Sequence, residues 1–273
     1  MRIEEKPSEF RIEVRPLHAD QRFTYYDKRA KEMRPASWID ETPFWNKHHC
    51  LVYSGAAGSG KTTTSLSLIS STRKKSKVYA GVFDTVLCCA PISTLKSLVE
   101  NPFDSLDPDQ VYHTFNEAFL DDVLEICEEK SMMDKDTLVW IDDAANSLKS
   151  NRRVIDKLTN LVCKHRHLRC SIHLLIQDLI QLPLSIRENI SGSITFKPIN
   201  AKRMKLFHEE YLSELTYAEF LKLQDYLYRS KGDFLFIKNE IPRAYYRNFD
   251  RIYFQSSSKH GIENKEDEIS EKS

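Results

Sequence analysis

Eight consecutive residues, from position 55 to position 62, have the composition and spacing of a phosphate-binding loop. They run Gly55-Ala56-Ala57-Gly58-Ser59-Gly60-Lys61-Thr62 and match the pattern G-x-x-x-x-G-K-[ST]. Glycines leave the backbone amides bare, so this stretch of chain can wrap closely around an anion. Lys61 is therefore predicted to hold the β- and γ-phosphates of a nucleoside triphosphate, and Thr62 to bind Mg²⁺ through its hydroxyl.

The residues on either side of this loop supply the elements that it requires. An apolar run at positions 50 to 53 predicts a buried strand before the loop, and positions 63 to 69 are compatible with a helix after it. Thr63, in the first turn of that helix, is a further nucleotide-binding candidate. An ordinary glycine turn is the alternative interpretation. It does not explain Lys61 and Thr62 at this offset, nor why three of the seven glycines in the chain lie in these eight residues.

Two carboxylates follow a second apolar run, at positions 138 to 141. A continuous apolar run predicts a central parallel strand that is covered on both faces. Side chains that follow such a strand lie at the carboxyl edge of the sheet, where ligands bind in open α/β folds. Asp142 is predicted to bind Mg²⁺, and Asp143 to orient or deprotonate an attacking water molecule.

Gln177 ends another stretch that is predicted to be a buried strand, at positions 171 to 176. If that stretch is also a parallel strand, its amide lies at the same edge as Asp142 and Asp143. The prediction is that Gln177 contacts the γ-phosphate or positions water. The alternative is a strand-end amide that is bonded to local backbone.

Charge and composition restrict the classes of protein to consider. The chain has 273 residues, 41% of them apolar, and its forty basic residues balance its forty acidic ones, so bulk charge predicts no nucleic-acid partner. Residues 149 to 169 are locally basic, and Lys149, Arg152 and Arg153 are candidate contacts to DNA phosphates; a merely solvated helix face is the alternative.

Three features of the sequence bear on the cellular compartment in which the protein works. No apolar run is long enough to cross a bilayer, the first residues lack a signal peptide, and the six cysteines resemble small buried hydrophobes. We therefore expect an intracellular protein in a reducing compartment.

Strand-like runs that alternate with helical periodicity predict an α/β fold with a mainly parallel sheet of about five strands, flanked by helices. Residues 78–83 and 85–91 are predicted as the second strand, and 193–196 as a fifth strand. Asn116 is predicted to cap a helix at 117–130. The predicted segments are an N-terminal extension at 1–47, a nucleotide-binding core at 48–198, an appendage of helices and a strand at 199–255, and a disordered tail at 256–273.

Three blocks in this order resemble the poxvirus-type genome-packaging ATPases of the FtsK-HerA superfamily of P-loop motors. They are the loop from Gly55 to Thr62, the run at 138–143 that ends in two aspartates, and the segment from Arg166-His167 to Gln177. A looser fourth block contains Pro183, Arg187, Asn189-Ile190 and Phe196. The wider superfamily often has Glu after the magnesium Asp, where this chain has Asp143, as in the poxvirus-type branch.

The resemblance implies a RecA-like core, binding of ATP and Mg²⁺, and a homo-oligomeric ring, a pentamer or hexamer, that moves double-stranded DNA into a capsid. It also implies an arginine that is supplied to a neighbouring subunit's site, for which Arg166 and Arg187 are the candidates. A capsid or viral-membrane component is a further candidate partner, and the host cytoplasm at sites of virion assembly, or the virion itself, is the implied location. Two other functions stay open: a P-loop kinase of a small molecule or nucleoside, and a nucleotide-gated assembly scaffold that hydrolyses little ATP.

Overall fold

A computed structural model of the chain describes most of its middle part. The described residues are 11–15, 44–45, 47–70, 78–98, 100–144, 148, 151–198, 200–239 and 243–255. Lys149, most of the predicted N-terminal extension and the predicted tail from 256 onward lie outside them.

Ten strands within these residues form one sheet. In chain order they are β1 Arg11–Arg15, β2 Cys50–Ser54, β3 Thr85–Cys89, β4 Val111–Tyr112, β5 Thr137–Asp142, β6 Cys170–Ile176, β7 Gly192–Phe196, β8 Phe234–Lys238, β9 Ala244–Arg247 and β10 Asp250–Gln255. Their spatial order is β1-β10-β9-β8-β7-β2-β6-β5-β3-β4. The six strands from β7 to β4 are parallel, and the other four continue the sheet with antiparallel pairs.

Helices cover both faces of the sheet. In chain order they are α1 Lys61–Ser70, α2 Ile92–Lys96, α3 Glu117–Met132, α4 Arg152–Lys164, α5 Leu184–Arg187, α6 Ala201–Tyr211 and α7 Tyr217–Leu227. On one face, α3 to α7 pack over Val52, Val139, Ile141 and Leu174. On the other, α1 packs over Leu51, Tyr53, Trp140 and Leu175. The chain therefore has three layers, as its alternating pattern predicts.

Side-chain caps begin several of these helices. Asn116 accepts a hydrogen bond from the amide of Phe119 at the start of α3, and Asn151 accepts bonds from Arg153 and Val154 at the start of α4. At α7, Thr216 and Glu219 form a reciprocal capping box. The cap at Asn116 places the start of α3 where the sequence pattern predicts it.

The prediction of a mainly parallel α/β sheet is confirmed, but two details of it are wrong. The second strand is Thr85–Cys89 alone. Residues 78 to 83 form a turn instead, in which Gly81 has φ +68° and Tyr79 donates its amide to the carbonyl of Leu68. Val78 and Val82 are buried beneath α1 and not in the sheet, so their apolar character reports burial and not strand structure.

The sheet is also twice as wide as the predicted five strands. In β9, Tyr245 packs with one face of the core and Tyr246 with the other. A strand that is buried on both faces loses the polar–apolar alternation by which strands are recognised. The basic and aromatic stretch at 243–254 therefore carried no strand prediction.

Two smaller findings concern the cysteines and membranes. Five of the six cysteines are buried as predicted, whereas Cys163 on α4 is exposed. No helix in the described part of the chain combines the length and the apolar character that crossing a bilayer requires.

Candidate nucleotide-binding site

The predicted phosphate-binding loop lies between the carboxyl end of β2 and the first turn of α1. Gly60 has φ +111°, a conformation that L side chains rarely adopt. Gly55 is restricted in a different way, because a Cβ there would lie 2.8 Å from the Cβ of Phe196 and 2.8 Å from Oγ of Ser59. Phe196, at the end of β7, thus packs against the loop, and only glycine fits at position 55 beside it.

Lys61 begins α1 and folds back over the loop. Its Nζ donates to the carbonyl oxygens of Gly55, at 2.7 Å, and Ala56, at 2.9 Å. Burial lowers the pKa of Lys61, while Asp142 and Asp143 act in the opposite direction. The ammonium group is thus held at the centre of the loop, on the same edge of the sheet as both carboxylates.

Thr62 and Asp142 are brought together by the fold. The hydroxyl of Thr62 donates to Oδ2 of Asp142, with 3.4 Å between the oxygens. Burial raises the pKa of Asp142, and the amide of Asp143 and the charge of Lys61 oppose that shift. A half-buried carboxylate with a raised pKa is one that a cation would stabilise.

Asp143 differs from Asp142 in conformation and exposure. Its φ is +59°, in the left-handed region that is uncommon for residues other than glycine. Its amide donates to Oδ1 of Asp142 at 2.9 Å, and its own side chain is exposed. The unusual backbone therefore fixes Asp142 while it leaves the Asp143 carboxylate accessible to solvent.

Gln177 follows β6, which lies between β2 and β5 in the sheet. Its side chain is exposed, and with Gly55 and Ala56 it lines a small cavity beside the loop. The next residue, Asp178, forms an ion pair with Arg203 of α6 at 3.0 Å. The strand order thus places Gln177 between the phosphate-binding loop and the strand that carries Asp142.

The donor atoms present fit a magnesium-bound nucleoside triphosphate. Ser59 has a buried hydroxyl that lacks a hydrogen-bond partner among the described residues, in a loop whose amides suit phosphate. The hydroxyl and carboxylate oxygens of Thr62 and Asp142 are ligands that Mg²⁺ prefers. A groove of about 570 Å³, which could take the rest of a nucleotide, runs along the loop and the start of α1, past Thr63 to Leu98.

The two candidate arginines lie in different surroundings. Arg166 is exposed between α4 and β6, at the amino edge of the parallel strands and away from the chain's own loop. Arg187, at the end of α5, donates through Nε to the carbonyl of Leu182 at 2.9 Å and forms an ion pair with Glu210. Neither is brought to the chain's own site, and only Arg166 is exposed to a neighbouring molecule without breaking an ion pair.

Arg152 and Arg153 lie in the first turn of α4, at the same edge of the sheet as the loop. Both are exposed, and Arg153 is 4.0 Å from Glu117 with its side chain 83% exposed. The inward side of α4 buries Val154, Leu158, Leu161 and Val162, so the helix is part of the core and presents these arginines outward.

Three features of the site were missed by sequence reasoning. Phe196 was predicted as a strand residue but not as the support of the loop, because its contact with Gly55 joins residues 141 positions apart. A turn at Ser230–Asp233 places the Cα of Gly232 within 3.9 Å of a Cβ position on Gly60, although its Ser-Lys-Gly-Asp composition signals only a turn. The third feature is a group of buried polar residues beneath α1, among them Ser65 and His173, which match no sequence motif.

Comparison with known proteins gives a likeness in fold. Neither a protein-family model nor a curated protein sequence matches the chain. Among solved structures, it is similar to B204, the DNA-packaging ATPase from Sulfolobus Turreted Icosahedral Virus, with 14% identity over 71% of this chain and 94% of that one, at a TM-score of 0.50. It is also similar to the genome packaging NTPase B204 from Sulfolobus turreted icosahedral virus 2 in complex with sulfate, with 14% identity over 74% and 96% of the two chains, at a TM-score of 0.54. The predicted resemblance to viral packaging ATPases is confirmed at the level of the fold, which is RecA-like.

Proposed function

We propose that this chain, which has the fold of viral genome-packaging NTPases, is a magnesium-dependent ATPase that moves double-stranded DNA. The observation that carries the proposal is the pairing of Thr62 with Asp142, beside a lysine that is held over a glycine loop. These are the groups that a magnesium-bound triphosphate requires, and the strand order adds Gln177 to the same edge.

Each residue of the site has a separate task in the proposal. The loop amides from Gly58 to Lys61 bind phosphate oxygens, and the ammonium of Lys61 exchanges its two carbonyl partners for the β- and γ-phosphates. Thr62 and Asp142 hold Mg²⁺, which supplies positive charge to the phosphates when it is bound. Thr63 extends the binding surface beyond the phosphates.

Asp143 and Gln177 act on the attacking water. The exposed carboxylate of Asp143 accepts a hydrogen bond from the water and orients it, and the amide of Gln177 contacts the water or the γ-phosphate. Asp has one methylene fewer than Glu, so positioning is the better-supported role for Asp143, and direct proton abstraction the lesser one.

The motor part of the proposal rests on the fold and on surface charge. The two similar B204 proteins are a DNA-packaging ATPase and a genome packaging NTPase. Here Arg152 and Arg153 project from the loop edge, where closure around a nucleotide can move them along a DNA backbone. We propose a homo-oligomeric ring in which Arg166 or Arg187 reaches a neighbour's phosphates, acting inside the host cell where virions assemble. A capsid or viral-membrane component remains the proposed docking partner.

The kinase alternative needs an arginine-bearing lid that closes over the phosphates. The basic segment that resembles one is α4, and its four buried apolar residues hold it in the core. The scaffold alternative needs Asp143 to be dispensable. The left-handed φ of Asp143 costs about 1 kcal/mol or more, which glycine at this position would avoid. An aspartate there therefore favours a role for its carboxylate.

A single experiment separates these functions. ATP turnover by the full chain is measured with Mg²⁺ alone, with duplex DNA and with a nucleoside, for the wild type and for Asp143→Asn. The proposal expects duplex to stimulate turnover, and Asp143→Asn to lose turnover while it retains ATP binding. Turnover that requires a nucleoside indicates the kinase, and unchanged behaviour of Asp143→Asn indicates the scaffold.

A further inference from the structure

Five buried residues form a continuous hydrogen-bonded cluster beneath α1, outside the nucleotide-binding atoms. We call them the inner cluster: His49, Tyr53, Ser65, Trp140 and His173. Each is fully buried, and none is part of the loop motif or of the pair of aspartates. A polar cluster in a core is costly unless every member finds a partner.

The contacts run from Trp140 to His49. Nε1 of Trp140 donates to Oγ of Ser65 at 2.9 Å, and Oγ of Ser65 lies 3.3 Å from Nδ1 of His173. The hydroxyl of Tyr53 approaches the same Nδ1 at 3.2 Å. Nε2 of His173 lies 3.0 Å from Nε2 of His49.

The protonation states of His49 and His173 limit which hydrogen bonds the inner cluster can form. Burial lowers the pKa of His173 to about 3, and burial together with the neighbouring His173 lowers the pKa of His49. Both rings are therefore neutral with one N–H each, and a hydrogen bond between the two Nε2 atoms requires that one of them carries a proton and the other does not. Trp140 has a donor only, so Ser65 accepts from it whichever way the histidines donate.

Each of four members lies close in sequence to a residue of the proposed site. Ser65 is one helical turn after Lys61, and Trp140 is two residues before Asp142 in the same strand. Tyr53 is two residues before Gly55, and His173 is four before Gln177. The cluster thus joins the loop strand β2, the loop helix α1, the aspartate strand β5 and the glutamine strand β6 through side chains alone.

The bond between Ser65 and Trp140 links the two elements that carry Thr62 and Asp142. Backbone ladders connect β5 to β6 and β6 to β2, but no ladder connects a helix to a sheet. Apolar packing of Leu66 and Leu68 holds α1 on the sheet without directional preference. A hydrogen bond has direction, and it can set the position of α1 along the sheet.

We propose that Ser65 and Trp140, supported by His173, are positioning residues that set the separation of Thr62 from Asp142. The inference rests on the proposed function, because the separation matters through the magnesium that both residues would hold. Loss of the bond lets α1 shift along the sheet while the loop amides and Lys61, which are local to the loop, still bind phosphate. A misplacement of about 1 Å at a catalytic centre can cost up to about 100-fold in rate.

The test is Ser65→Ala in the full chain, with ATP hydrolysis measured across a range of Mg²⁺ concentrations. We expect kcat to fall about 10-fold or more, with a several-fold rise in the Mg²⁺ concentration at half-maximal rate. Binding of ATP in the presence of a chelator should change less than about twofold, because the loop itself is intact. Trp140→Phe removes the N–H donor and keeps an aromatic ring, so it should show the same fall in kcat and the same rise in the Mg²⁺ requirement. It replaces Ser65→Ala in the test if that variant does not fold.

Ser193→Ala is the matched control. Ser193 is also a fully buried serine, on β7, and its hydroxyl has no hydrogen-bond partner among the described residues. If Ser65→Ala and Trp140→Phe lower the melting temperature but keep the kcat and Mg²⁺ dependence of Ser193→Ala, the cluster is merely structural and the inference is overturned. If the wild type itself shows no magnesium-dependent turnover, the proposed function fails instead.

The double variant gives an independent check. Because Ser65 and Trp140 act through one bond, Ser65→Ala with Trp140→Phe should cost no more in kcat than the larger of the two single losses. Fully additive losses would contradict a shared positioning role.

Discussion

The hydroxyl of Thr62 reaches the carboxylate of Asp142 at 3.4 Å, although the two residues are 80 positions apart in the chain. Thr62 lies in the first turn of α1, which follows β2, and Asp142 ends β5; in the sheet β6 lies between β2 and β5. This pairing defines the proposed metal site, and it makes Asp142 the residue whose loss should separate nucleotide binding from hydrolysis.

Asp142→Asn should therefore lower magnesium-dependent ATP turnover by about 100-fold or more while ATP binding without metal persists. The amide keeps the shape of the side chain but removes the charge that holds Mg²⁺. Isothermal titration with and without Mg²⁺, alongside steady-state turnover, measures both effects. Turnover close to that of the wild type would show that Asp142 does not hold the metal.

Lys61→Ala should abolish nucleotide-dependent activity and leave the fold intact. Among the described residues, the ammonium of Lys61 bonds to Gly55 and Ala56 alone, so its removal costs about 1 to 2 kcal/mol of stability at most. Circular dichroism and thermal unfolding check the fold, and ATP hydrolysis checks the activity. If the Lys61→Ala variant still hydrolysed ATP, residues 55 to 62 would not be the phosphate-binding loop of an ATPase.

Gly60→Ala tests the geometry of the loop. Gly60 has φ +111°, and an added Cβ would lie 3.2 Å from the ring of Phe196, so the loop must shift. We expect about 1 to 3 kcal/mol of destabilisation together with at least a 10-fold loss of ATP affinity.

Gly81→Ala is the control for that change. Gly81 also has a positive φ, +68°, but its Cβ would point into open space, away from the loop. It should share the loss of stability and keep the affinity for ATP. Equal losses of affinity in both variants would mean that Gly60 matters only for stability.

Neutralising Lys149, Arg152 and Arg153 together should flatten the salt dependence of duplex DNA binding. Each lost contact to a duplex phosphate lowers the log–log slope by about 0.9. Fluorescence anisotropy at several salt concentrations gives the slope.

The comparison variant neutralises Lys135, just before β5, and Lys164, at the end of α4; both are exposed at the opposite edge of the sheet, and the variant should keep the slope of the wild type. If the comparison variant flattens the slope and the variant at Lys149, Arg152 and Arg153 does not, the DNA surface lies at the amino edge of the sheet.

Asp136 should make the stability of the fold sensitive to acid. Its side chain is buried at the amino edge of β5, where His48, at 2.8 Å, Arg169, at 3.1 Å, and Lys47 surround it. Burial alone would raise the pKa of Asp136, but the hydrogen bonds from His48 and Lys47 outweigh it and hold that pKa below its ordinary value. The carboxylate therefore stabilises the folded state above the ordinary pKa of an aspartate, near 4, and this contribution is lost as the pH falls through the lowered value.

Asp136→Asn should cost about 3 kcal/mol at neutral pH, and its stability should vary less with pH below 4 than that of the wild type. Urea unfolding between pH 3 and pH 7 measures both. A parallel loss of stability in the two proteins across that range would show that Asp136 is not the responsible group.

Local spacing was sufficient to identify the loop and the ends of its neighbouring strands. Gly55 to Thr62 match a pattern whose physical requirement, bare amides at a helix start, is met within a few residues. The apolar run before Asp142 predicted a central strand, and its four apolar positions, 138 to 141, are all buried, as is Thr137 before them. Asn116 and Glu117 showed where α3 begins, because caps are local interactions. These features depend on residues that are near one another in the chain.

Tertiary structure decided everything that depends on distant residues. The sequence predicts a strand that ends at Gln177, but only the sheet order shows that this strand lies between the loop and Asp142. Phe196 beneath Gly55, and Trp140 bonded to Ser65, join segments whose types and spacing carry no mutual pattern. The reason is physical: spacing along the chain reports which side of its own element a residue faces, whereas the partner on that side is chosen by how the elements pack.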